Sequence, residues 1–183
     1  LTSARRYLQG CGTQTAGLTA GQSGTSTNEY DGTNWTAGGA MNTSRPNTGA
    51  VSGIQTAALM SGGGNGGTPV SGKTEEYDGT SWTEIADMAV ARITSAGANG
   101  GTTSASVAFG GHGGSAGYIS STEEYNNTTS TVTGAAWAAG GNMGTGRYIL
   151  AGAGTQTAGL GFGGYAGAVK DETEEYDGTS WSE

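Results

Sequence analysis

Thr74–Trp82 reads T-E-E-Y-D-G-T-S-W, and the same nine residues return letter for letter at Thr173–Trp181, 99 positions later. Two looser copies complete a series. Its members are Glu29-Tyr30-Asp31-Gly32, Glu76-Tyr77-Asp78-Gly79, Glu124-Tyr125-Asn126-Asn127 and Glu175-Tyr176-Asp177-Gly178. Their tyrosines are spaced by 47, 48 and 51 residues. A tryptophan follows each, at Trp35, Trp82, Trp137 and Trp181, and an arginine opens each unit, at Arg5 or Arg6, Arg45, Arg92 and Arg147. Glycine doublets close a short apolar run at Gly62-Gly63, Gly110-Gly111 and Gly163-Gly164, where the first unit has Ala20-Gly21. Met41, Met88 and Met143 lie between each Trp and the next Arg. The approximate units are 1–41, 42–88, 89–143 and 144–183.

A period near 50 divides into four short strands with their turns. In the fourth unit Tyr148–Ala153, Gln156–Phe162 and Thr173–Tyr176 read as strands one to three, and Trp181 opens strand four. Asp-Gly after Tyr signals a tight hairpin, because Gly accepts the positive φ such a turn demands. No segment carries a capped apolar stripe of helical period. The fold expected is all-β, a propeller of four four-stranded antiparallel blades. One blade alone cannot bury both faces, and stacking blades about an axis does so.

Composition agrees once the repeat is recognised. The 183 residues include 38 Gly, and Leu, Ile, Val and Phe together number only 19. With a net charge of -8, that scarcity alone would suggest disorder. Most of the 14 aromatic residues recur in register instead, and each buried Tyr or Trp removes about 150–250 Å² from water. Small residues then suit the crowded strands near the axis.

The column order of Arg, apolar run with Gly-Gly, Tyr-Asp, Trp and Met resembles the kelch repeat. Phe109-Gly110-Gly111, Phe162-Gly163-Gly164, Tyr77-Asp78, Trp82 and Met88–Arg92 carry the resemblance best, and it spans essentially the whole chain in four copies. The near-verbatim E-E-Y-D-G-T-S-W and G-T-Q-T-A-G-L segments are also similar to tandem kelch-like proteins of marine phages and bacteria. The resemblance implies a propeller, and its phage members imply a virion setting. Two departures stand out: Asn126-Asn127 replaces Asp-Gly with Thr128–Ala136 inserted before Trp137, and the first unit lacks one Gly of its doublet. The chain opens on Leu1, so it reads as a processed product or segment, and its phase suits either a compact four-bladed ring or part of a longer array.

Seven Lys and Arg against 15 acids leave no electrostatic footprint for phosphate, so no nucleic-acid partner is expected. No apolar run approaches the ~20 residues of a membrane helix, so no membrane insertion is expected. Ten of the 15 acids lie in the four Glu-Tyr segments. A calcium site needs several carboxylates within one loop, whereas neighbouring Glu residues on a strand face opposite ways. The expectation is therefore edge charge, a turn Asp, and pairing with the repeat Arg, itself expected to bond between blades. His112 is the only His and reads as a solvated loop residue; Cys11, where the fourth unit has Ala153, reads as a small filler. No nucleophile elbow or phosphate loop is present, and no metal or cofactor is expected.

Variation concentrates in the loops joining strands two and three, at 22–27, 64–73, 112–121 and 165–171. Insertions of repeat proteins map to one face, often the binding face, which nominates His112, Tyr118 and Tyr165. Tyr30, Trp35, Tyr77, Trp82, Tyr125, Trp137, Tyr176 and Trp181 are the expected packing anchors, with the arginines and glycine doublets. These readings favour a non-enzymatic structural or adhesive module, on a virion or cell exterior, meeting a protein or glycan surface and assembling with other virion or surface proteins. A carbohydrate-acting propeller enzyme and an intracellular kelch adaptor are the alternatives.

Overall fold

The computed structural model describes residues 1–4, 8–21, 24–64, 70–98, 100, 102–127 and 136–183. Four antiparallel sheets, each of four strands in chain order, stand in a propeller arrangement. The first blade holds β1 (Gln9–Thr13), β2 (Ala16–Ala20), β3 (Thr27–Tyr30) and β4 (Trp35–Ala37). The second holds β5 (Asn47–Ile54), β6 (Ala57–Gly64), β7 (Thr74–Tyr77) and β8 (Trp82–Ile85). In the third are β9 (Ala96–Gly97), β10 (Ala105–Phe109), β11 (Thr122–Asn126) and β12 (Ala136–Ala139). The fourth has β13 (Ala151–Thr155), β14 (Ala158–Phe162), β15 (Thr173–Tyr176) and β16 (Trp181–Ser182). A single 3-10 turn at Gly114–Ala116 is the one helical element among the described residues.

Two sequence expectations shift here. The first strand of the fourth blade begins at Ala151 rather than Tyr148, and Gln156 lies in the turn before β14. The reason is Ile149, whose φ of 55° breaks the extended run, as Thr94 at 49° does in the third blade. Most of the expected insertion at Thr128–Ala136 lies outside the described residues; only its last residue, in β12, is described.

The Asp-Gly signal works through both residues. Gly32, Gly79 and Gly178 take φ of 93°, 91° and 92°. Asp31 Oδ1 accepts the Thr33 and Asn34 amides at 2.8 and 2.7 Å, and Asp78 and Asp177 repeat the arrangement. Those backbone N–H groups hold all three Asp carboxyls below their ordinary pKa. Asp thus closes the turn, and its side chain takes amides that the ladder leaves free.

The core lies in three seams between blades. Leu18, Val51, Met60, Tyr77 and Trp82 fill the first; Ala50, Met88 and Ala108 with Trp137 the second; Val107, Phe109, Leu150 and Tyr176 with Trp181 the third. Each large side chain so buried contributes about 1.5–3 kcal/mol. The innermost strands β1, β5, β9 and β13 neighbour one another in that order, and small residues allow it. A Cβ on Gly97 would meet the Ala50 methyl at 3.0 Å.

One ladder of side chains recurs at the seams. Each Trp packs on the Tyr of its own hairpin, with ring centroids 4.9–5.4 Å apart and planes tilted by 30–53°. From the second blade on, its indole N–H donates to a buried Thr of the preceding blade: Trp82 to Thr27, Trp137 to Thr74 and Trp181 to Thr122, at 2.9, 3.1 and 2.8 Å. The Tyr hydroxyl reaches back likewise, from Tyr77 to Glu29 and from Tyr176 to Glu124. Tyr125 does not complete this bond to Glu76; its buried hydroxyl is unpartnered among the described residues.

The repeat arginines differ from expectation. Arg45, Arg92 and Arg147 are fully buried; Arg45 and Arg92 hydrogen-bond, and Arg147 ion-pairs, within their own blades and not between blades. Arg45 meets Glu75 at 3.0 Å and the carbonyls of Gly62 and Lys73; Arg92 meets Glu123 at 2.7 Å and the carbonyls of Gly110 and Ser121. Arg147 lies 3.0 Å from Glu174 and 3.7 Å from Glu172. Burial pulls the Arg45 and Arg92 pKa down, and their Glu partners oppose the shift. The first Glu of each pair is therefore buried structure rather than edge charge. In the first blade that position is Asn28, whose Oδ1 accepts the Thr2 hydroxyl at 2.6 Å; Arg5 and Arg6 lie outside the described residues. What does pass between blades at the arginines is backbone: the Gly63 and Gly111 amides donate to the carbonyls of Arg92 and Arg147, each at 2.8 Å.

Candidate functional site

The glycine doublets decide where the loops between the second and third strands of each blade emerge. Gly62 and Gly63, Gly110 and Gly111, and Gly163 and Gly164 all take positive φ, between 66° and 106° at the fourth blade's pair. The chain therefore turns sharply off the ends of β10 and β14 and within the last residues of β6, onto the same end of the molecule as the arginine-bearing connections. There it picks up short bridges to those connections. His112 pairs with Ile93 and Tyr118, and Tyr165 pairs with Tyr148 and Val169.

These bridges bring together all three nominated residues. The His112 and Tyr118 rings of the third blade lie edge to face, 5.9 Å apart. Tyr165 of the fourth blade lies 6.2 Å from Tyr118, again edge to face. Tyr148 sits at the centre: it stacks on Tyr118 at 5.4 Å with planes 7° apart, and meets His112 and Tyr165 at 5.7 Å each. Offset stacking and edge-to-face contacts of this kind stabilise by about 0.5–1.5 kcal/mol beyond area. The loop His112 is thus half-buried in an aromatic cluster, not freely solvated as its glycine-rich setting suggests. Its Nδ1 accepts the Gly114 amide at 3.1 Å, which places the neutral ring's own N–H on Nε2.

Sequence reasoning missed Tyr148. It follows the repeat Arg as Tyr7 follows Arg6 in the first unit, whereas Pro46 and Ile93 stand there in the second and third, so the column is only half kept. The Arg-Tyr pair shared by the first and fourth units was the available signal.

The cluster straddles the junction of the third and fourth blades. Tyr118 is 43% exposed, while Tyr148, Tyr165 and His112 are half-buried. Exposed Ile149 and Val169 lie beside it in sequence. Beneath, Ile149 donates its amide to the Thr94 carbonyl at 3.1 Å. Both residues are β-branched with positive φ, a combination that costs about 1–3 kcal/mol each and concentrates at sites shaped for use. The corresponding loops of the first two blades lie partly outside the described residues, at 22–23 and 65–69.

Chemically, the cluster offers flat, preorganised rings, three phenol hydroxyls and one imidazole N–H at a single surface. Among the described residues no three His, Cys, Asp or Glu side chains converge as a metal site would require. Cys11 is far along the chain, in β1, and burial pushes its thiol up to about 12, which leaves it unreactive near neutrality.

No family model matches the chain, and no curated protein matches it. Among solved structures the chain is similar to the one titled "Structure of YjhT", with a TM-score of 0.74 over 98% of its own length and 15% identity. The chain spans 64% of the length of that protein. At this identity the likeness is one of fold: the chain is a β-propeller.

Proposed function

We propose that this chain is a non-enzymatic, kelch-like recognition module of a virion or cell exterior, which binds glycan through the His112–Tyr118–Tyr148–Tyr165 cluster. The observation that carries the reading is the convergence of four rings on a surface formed by two loops that vary between repeats and the connection that joins their blades. Pyranose rings present an apolar C–H face that stacks on aromatic planes, while phenol and imidazole groups take up the hydroxyls. Tyrosine suits that task because it offers rigid amphipathic area at small entropic cost. The blades supply rigidity and the cluster supplies contact, so binding needs no large rearrangement.

A glycan array, followed by calorimetry on the glycans it selects, tests this directly. The expected result is saturable binding without hydrolysis, weakened at least tenfold by Tyr118→Ala. Turnover of a bound glycan would favour a carbohydrate-acting enzyme instead. Binding untouched by Tyr118→Ala would place the ligand elsewhere.

A further inference from the structure

The ladder that joins the blades lacks partners on the outer faces of the first and fourth blades, and the two gaps are complementary. Thr27, Thr74 and Thr122 are buried at 2%, 0% and 1% exposure beneath the next blade's Trp. Thr173 occupies the same register position in the fourth blade and is exposed, as is Glu175, the counterpart of Glu29 and Glu124. Phe109, paired with Thr122, is fully buried under Trp181 at 4.7 Å; its counterpart Phe162, paired with Thr173, is 40% exposed.

The first blade carries the missing donors. Gln55 and Gln156 each donate across a seam, to the carbonyls of Tyr30 and Tyr125 at 2.8 and 3.1 Å. Gln14, at the equivalent turn, is exposed and donates to no described residue. Trp35 is half-buried where Trp82 is at 5%, and no described residue receives its indole N–H. No hydrogen bond joins the first and fourth blades among the described residues. An open concavity marks each of these two faces, one lined by Gln14, Tyr30 and Trp35, the other by Gly159, Glu175 and Tyr176.

We infer that the free face of the fourth blade docks the free face of the first blade of a second copy, head to tail. Trp35 of that copy donates to Thr173 Oγ1 over Phe162, Tyr30 donates to Glu175, and Gln14 donates to the Tyr176 carbonyl. The argument is continuity with an established interface: the first and third seams within the chain use all three pairings, and the second uses the Trp–Thr bond. Such an interface joins unlike faces, so it either closes a ring or runs on as a filament.

Analytical ultracentrifugation of the chain across a concentration series reads the outcome. The expected result is a mass rising above 18.0 kDa with concentration. Thr173→Arg, on the exposed fourth-blade face, abolishes the rise. Gln14→Glu weakens it and Trp35→Ala removes it, with circular dichroism confirming native structure. Mixing Thr173→Arg with Trp35→Ala then restores a one-to-one dimer, because each variant keeps the face that the other lacks. A mass fixed at the monomer value up to hundreds of micromolar, where even weak interfaces form, overturns the inference. So does association that survives both substitutions, or two folded variants that fail to pair.

Discussion

The indole N–H of Trp82 donates at 2.9 Å to the hydroxyl of Thr27, 55 residues earlier and one blade away. Both groups are buried, and the ring packs among Leu18, Ala20 and Met60. Trp82→Ala is expected to lose about 3–5 kcal/mol through the cavity and the lost contacts. Thr27→Val keeps the volume but strands the indole N–H, and is expected to lose about 1–3 kcal/mol. Urea denaturation of the two single variants and the double variant checks this. If the pair is coupled as described, Thr27→Val costs much less once Trp82 is already Ala.

The propeller was readable in the sequence because a blade must repeat its anchors, and Tyr, Trp, Arg and Gly-Gly do so at a nearly constant period. The direction of the contacts was harder to read. Alternation on β7 sends Glu75 to Arg45 of its own blade and places Glu76 on the opposite face, toward the next. A rule that counts charged residues as surface misplaces the first of them. Thr27, Thr74, Thr122 and Thr173 form a column three residues before each Tyr, yet Thr is common in strands for other reasons, so nothing flagged it as the indole acceptor. The aromatic site was half legible: loop variation nominated three rings, and the fourth, Tyr148, came from a connection between blades whose column holds Tyr in only two of the four units.

The buried Arg92–Glu123 pair gives a second test. Removing one partner of a buried ion pair leaves an uncompensated charge, at a cost of about 3–5 kcal/mol. Arg92→Met is expected to fall in that range. Adding Glu123→Gln neutralises the orphaned carboxylate while keeping an acceptor for the Ala89 amide, which it takes at 2.7 Å. The double variant should therefore be more stable than Arg92→Met alone. Strictly additive losses would show that the two groups are not coupled.

Alkaline pH should act through the Tyr–Glu bonds between blades. Burial and the neighbouring carboxylates Glu29 and Glu124 raise Tyr77 and Tyr176 to about 12 each, against about 10 in an unfolded chain. The folded state thus retains the phenol proton where the unfolded state has lost it. Their contribution is fully present below pH 10 and disappears as the pH rises through 12. Thermal unfolding followed between pH 8 and 12 should show stability declining across that upper window. Tyr77→Phe, which cannot ionise, should flatten the decline, and an unchanged slope would contradict the assignment.

The glycine doublets separate backbone strain from steric exclusion. Gly110 has φ of 62°, and a Cβ there would meet the Arg147 carbonyl oxygen at 2.8 Å and a Leu150 methyl at 2.9 Å. Gly117, in the loop beneath the aromatic cluster, has φ of 74° with nothing within 4 Å of its would-be Cβ. Gly117→Ala carries only the conformational cost, about 1–3 kcal/mol. Gly110→Ala carries that cost and also forces the third and fourth blades apart, because the obstructing oxygen belongs to backbone that cannot swing aside. It should therefore be the more destabilised of the two by chemical denaturation. It should also disturb the stacking of Tyr118 on Tyr148, readable as a change in near-ultraviolet circular dichroism. Equal losses at the two positions would mean that the doublet serves the turn alone, without fixing how the blades that carry the aromatic cluster sit against each other.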